Sequence, residues 1–130
     1  MTKKKKIELI AMEIMGWTKP TNPWAKKYGY WDDNGTTLCN KFDPFDLRIW
    51  CDDAWHKVQE SHESWLHCDV HTKTGWHGSK RNKCRYEKET SRVYTAEIIF
   101  RGDSIRAEHE DARIAMIECM LDFIIAQDKG

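Results

Sequence analysis

From Arg92 to Gln127 the chain reads RVYTAEIIFRGDSIRAEHEDARIAMIECMLDFIIAQ. In its first part Tyr94, Ala96, Ile98 and Phe100 alternate onto one face, the period of a strand with one buried side. Gly102 and Asp103 mark a turn, and the pattern from about Ala107 to Gln127 predicts a helix. Ala112, Ala115, Met116, Cys119, Met120 and Phe123 line one side of that helix, while Ile114, Ile117, Leu121, Ile124 and Ile125 cover much of the other. A helix apolar nearly all round needs cover on both sides, so it predicts a sheet on one and another helix or a second subunit on the other. The expected class is α+β: an antiparallel sheet of three or more strands, arranged as a meander and sandwiched by helices.

Working outward, Leu66, Cys68 and Val70 alternate with Trp65, His67, Asp69 and His71, which predicts another strand. Gly75 and Gly78 mark a long hairpin tip, and a second strand is expected near Cys84 to Glu89, before the third from Arg92 to Phe100. Upstream, Asp43 as a cap and Pro44 at the first helical position predict a helix that ends around Glu60 to Glu63. Leu47, Trp50, Cys51, Ala54 and Val58 form its buried stripe. From Thr18 to Phe42 no period is sustained, although Asp32-Asp33-Asn34-Gly35 signals a turn with a short hairpin around it. Ile7, Ile10, Ala11, Ile14 and Trp17 follow helical spacing and predict a first helix ending near Gly16.

A length of 130 residues suits one domain over residues 1–130, with residues 1–6 read as a disordered basic terminus. Lys plus Arg and Asp plus Glu stand at 21 each, so no global field steers the protein toward DNA, RNA or an anionic membrane. Charge is instead local. Between Thr72 and Arg92 seven cations face only Glu87 and Glu89. Five irregularly spaced cysteines and the lack of a signal-like or membrane-length apolar run predict a reducing cytoplasm.

Met15-Gly16-Trp17 at a helix end, Asp53-Ala54-Trp55 in the second helix and the start Ala112-Arg113-Ile114-Ala115 of the last resemble the phage ABA sandwich family, small phage and prophage accessory proteins. The resemblance spans most of the chain, which departs from it by a longer Trp-rich first loop and a longer, more basic hairpin. It implies a phage accessory role in an infected bacterial cytoplasm and supplies no catalytic residues.

The basic hairpin is the first candidate site. Lys80, Arg81 and Arg85, flanked by Trp76 and Tyr86, combine cations for phosphate with flat rings on which a base can stack. The bland alternative is a charged, solvated sheet edge that resists aggregation. Alternation places His67, Asp69 and His71 on one strand face, a zinc-competent set of ligands that would make the protein a zinc-assisted nucleic-acid binder. A solvated polar face explains the same alternation, and no paired Cys-x-x-Cys supports zinc, so no cofactor is expected. The aromatic residues Trp24, Tyr28, Tyr30 and Trp31 read as a lid on the core, as the wall of a pocket or as a partner surface. No nucleophile elbow, phosphate-binding glycine loop or HExxH motif is present, so the chain reads as a binder more than an enzyme. The most concrete expectation is a non-catalytic, oligomeric counter-defence sponge for a nucleotide immune signal, self-associating through the 107–127 helix. The alternative is an inhibitor or adaptor that binds a host or phage protein through its Trp-rich surface.

Overall fold

The computed structural model describes residues 1–39, 41–46, 48–61, 63–78 and 86–128, with the backbone alone for 61, 63–78, 86–92 and 128. Thr2 opens the first helix by accepting a hydrogen bond from the Lys5 amide at 3.2 Å, and α1 runs over Lys3–Leu9. Residues 3–6, expected within a disordered terminus, are thus its first turn in this structure. The helix widens into a π-helical turn, Ile10–Ile14, where the Met15 amide donates to the Ile10 carbonyl at 3.1 Å. Ile10 and Ala11 of this turn are fully buried and anchor the N-terminal segment in the core.

The aromatic loop holds more structure than its sequence period suggests. Asn22 accepts from the Trp24 amide at 2.9 Å, Pro23 takes the first helical position, and α2 spans Pro23–Tyr28. The expected hairpin follows as β1 (Trp31–Asp33) and β2 (Thr36–Leu38), paired antiparallel. Its two turn residues, Asn34 (φ 49°) and Gly35 (φ 85°), both occupy the left-handed region that a tight primed turn demands. A bridge between Thr18 and Asp32 ties this hairpin to the end of the π-helical turn's segment.

Asp43 accepts from the Phe45 and Asp46 amides at 3.0 and 3.3 Å, so it caps a turn that contains Pro44 and not, as expected, the helix itself. The chain then makes a turn over 44–46 before α3, Arg48–Ser61, begins. Cys51, Ala54, Trp55 and Val58 form its buried face, and Trp50 is half-buried. Leu47 lies outside the described residues.

Strands β3 (Glu63–Gly78), β4 (Tyr86–Phe100) and β5 (Asp103–His109) form an antiparallel sheet in that order. The first, β3, contains the strand expected around Leu66 to Val70, but the other two differ from the expected ones. The separate strands anticipated near 84–89 and 92–100 belong to one continuous β4 from Tyr86, which pairs with β3 with a register shift between Lys73 and His77. The third strand is β5, in a segment read as a turn and helix start. Arg101 (φ 51°) and Gly102 (φ 80°) reverse the chain so sharply that Asp103 pairs back onto Phe100, and the last helix, α4, begins only at Ala112.

On β4 the expected face meets the core: Ala96 and Ile98 are fully buried in the core cluster, and Tyr94 and Phe100 pack against it. The intervening Thr95 and Glu97 are also buried, at 3% and 2% exposure, and Arg106 pairs with Glu97. Helix α4 lies along β4 and β5 and touches α1, α3 and the π-helical turn as well. Its all-round apolar character is therefore taken up within the chain: Ala115, Met116, Ile117, Cys119, Met120, Leu121, Phe123 and Ile124 are buried, while Ile125 is 39% exposed. Among the described residues no helix is long and apolar enough to cross a membrane.

Candidate functional site

The N-terminal third encloses an open-mouthed cleft of about 580 Å³, within the range of small-ligand sites. Four pieces of chain build it. Helix α1 contributes Lys3, Lys4, Ile7 and Glu8, which share one side because they stand four apart in pairs. Lys19 and Pro20 come from the segment before α2, and Lys26, Lys27, Tyr28 and Gly29 from its end. Tyr30 and Trp31 lead into β1, and Lys41, Phe42 and Asp43 close the wall before α3.

The base of this cleft is rigid. Trp31 and Phe42 are 6% and 3% exposed, and Phe42 meets Trp17 and Trp50 edge-to-face at ring separations of 5.1 and 5.5 Å. The Asp32 carboxylate accepts from the Thr37 hydroxyl at 2.9 Å, which holds the β1–β2 hairpin beneath Trp31. Beside the cleft, Tyr28 and Tyr30 stack with centroids 5.8 Å apart and planes at 20°, and Trp24 abuts both at 5.6 Å. Trp24 and Tyr28 are nonetheless 52% and 53% exposed. Tyr28, stacked on Tyr30 and met edge-on by Trp24, is thus held in place while half in water, a pre-ordered aromatic surface.

The rim is strongly cationic. Six lysines line the cleft against two carboxylates, Glu8 and Asp43. Glu8 is engaged by Lys19 at 3.7 Å, and Asp43 is committed to the backbone amides it caps. Lys3 stands over the Phe45 ring at 5.3 Å, and Lys6, outside the cleft, pairs with Glu118. Among the described residues no carboxylate lies within ion-pair reach of Lys3, Lys4, Lys26, Lys27 or Lys41. These side chains are arranged to bind an anion with an aromatic part. The thiols of Cys51 and Cys119 lie in the core and not in the cleft, and desolvation there pushes both up to about 12.

The sites expected from the sequence lie outside the described side chains. Lys80, Arg81 and Arg85 lie outside the described residues, and for Trp76 and Tyr86 the strand backbone alone is described. The same holds for His67, Asp69 and His71, whose register sets them opposite Thr95, Val93 and Ser91 of β4. Among the residues whose side chains are described, no three His, Cys, Asp or Glu groups form a metal-holding cluster. The sequence reading allowed the aromatics of the first loop as a pocket wall but passed over the lysines that rim it. A signal was there, because residues 1–31 carry seven lysines against Glu8 and Glu13, the same seven-to-two excess as the hairpin, interleaved with Trp24, Tyr28, Tyr30 and Trp31. Comparison with family models, curated proteins and solved structures finds no match to this chain.

Proposed function

We propose that the chain is a non-catalytic nucleotide-binding protein that holds its ligand in the lysine-rimmed cleft. The observation that supports this is the meeting of unpaired ammonium groups with flat, pre-stacked rings on one concave surface. Lysine supplies point charges for phosphate, and tyrosine faces accept a base without regard to its pattern of donors and acceptors. The Met15-Gly16-Trp17, Asp53-Ala54-Trp55 and Ala112-Arg113-Ile114-Ala115 signals add the context of a phage ABA sandwich protein in an infected bacterial cytoplasm. In that setting the fuller form of the proposal is a counter-defence sponge, an oligomer that sequesters a nucleotide immune signal without cleaving it. Calorimetry of the purified chain against cyclic nucleotides, ADP-ribose-type molecules and linear nucleotides tests the reading. Binding with recovery of intact ligand after denaturation is expected; no heat with any of them contradicts it.

A second reading rests on Trp24, which flanks the cleft without lining it and is half in water. An exposed Trp on a stacked aromatic cluster is the composition of a protein-binding hot spot, which supports an inhibitor or adaptor role toward a host or phage protein. Pull-down from the bacterial host separates the two: a stoichiometric protein lost on Trp24→Ala favours the second, and a retained small molecule favours the first.

A further inference from the structure

We infer that the cleft selects linear nucleotides bearing several phosphates over singly charged or cyclic ones, an inference that rests on the nucleotide-binding reading above. Charge balance is the first support. Six lysines less Glu8 and Asp43 leave an excess of four positive charges on the lining. A cyclic dinucleotide brings one charge per phosphodiester, and a monophosphate about two, so either leaves cations facing one another across a confined space. A nucleoside triphosphate brings about four.

Placement of the lysines is the second support. They are spread over separate pieces of chain: Lys3 and Lys4 on α1, Lys26 and Lys27 at the end of α2, Lys41 ahead of α3. A single phosphate is a compact group, and the four-carbon stems of distant lysines converge on it only by giving up rotamer freedom. A chain of phosphates meets them where they stand. The third support is that the rings and the cations are adjacent in sequence, Lys26-Lys27-Tyr28-Gly29-Tyr30, so a base on the tyrosine pair leaves its phosphates beside the lysines. Gly29 sits in the left-handed region (φ 74°) and ends α2 there, turning the chain so that Tyr30 comes back under Tyr28.

The test is calorimetry of the full chain with AMP, ADP, ATP, a cyclic dinucleotide, inorganic triphosphate and a short oligothymidylate, each at about 0.05 and 0.3 M salt. Affinity is expected to climb at least about tenfold from AMP to ATP, and the gain is expected to shrink at high salt. Lys26→Ala with Lys27→Ala should flatten that ladder, and Tyr28→Ala should weaken every nucleotide alike. All three positions are exposed, and circular dichroism is the check that each variant folds. Equal affinity for AMP and ATP, or a preference for the cyclic dinucleotide, overturns the selectivity while the nucleotide-binding reading stands. Tighter binding of the oligothymidylate than of ATP also overturns it, in favour of a single strand. Failure of every nucleotide to bind, or inorganic triphosphate matching ATP, overturns the nucleotide-binding reading itself.

Discussion

The ammonium of Lys6 lies 2.8 Å from Oε1 of Glu118, joining the first helix to the last across nearly the whole sequence. No residue of α1 is fully buried, so this ion pair and the apolar contacts of Ile7 and Leu9 hold the helix in place. With the two side chains 26% and 39% exposed, the pair contributes about 0.5 kcal/mol, a small share of global stability. Its local effect is larger, because α1 carries two of the cleft's lysines. Glu118→Gln is expected to speed amide hydrogen exchange over Lys6 to Ile10 and to weaken anion binding, while the urea midpoint barely moves.

Glu118 acts on a second group. Burial first, and then Glu118 one turn away, push the Asp122 carboxyl above its ordinary value. The folded chain therefore holds that proton more tightly than the unfolded chain. The stabilisation is complete below the unfolded pKa and is lost as pH rises through the higher folded value. Asp122→Asn should raise the urea midpoint at pH 7 and leave it unchanged near about pH 3, where the wild-type carboxyl is protonated in both states. Midpoints measured across that range check the sign.

The three thiols whose side chains are described divide by burial. Cys51 and Cys119 have no exposed surface, their thiols are pushed up to about 12, and each approaches a backbone carbonyl, of Arg113 and Ile105 respectively. Cys39 is exposed. Iodoacetamide at about pH 8, near the free-thiol pKa, should modify Cys39 and spare Cys51 and Cys119 until the chain unfolds, as peptide mapping by mass spectrometry will report. Because both folded values exceed the ordinary 9.0, their contribution to stability holds below that value and is lost as pH climbs toward 12.

The tryptophans of the first loop part company in the same way. Trp31 is 6% exposed in the core cluster, so Trp31→Ala should cost about 3–5 kcal/mol in chemical denaturation. Trp24, half in water, should change stability by less than about 0.5 kcal/mol when replaced by Ala, because only surface contacts are lost.

That division shows where the sequence was legible. Period-two and helical patterns identified the core faces of β4 and α3, and the Asn34-Gly35 dipeptide identified its hairpin, since each of these signals is local. The sheet was misdrawn at β5. Ser104, Arg106 and Glu108 are exposed and Ile105 and Ala107 half-buried, a weak alternation beside a far stronger helix signal that drew the helix start forward from Ala112. The cleft was harder still. Its lysines are distant in sequence and meet only after the π-helical turn, the Thr18–Asp32 bridge and the hairpin have folded the aromatic loop back toward α1. No local spacing encodes that meeting.

The most direct measurement is an amide NMR titration of the full chain with ATP. Perturbations centred on Lys3, Lys4, Lys26 to Trp31 and Lys41 to Asp43 are the expected result. Perturbations confined to the Trp76 to Tyr86 hairpin, or none at all, would contradict the assignment of ligand binding to the cleft.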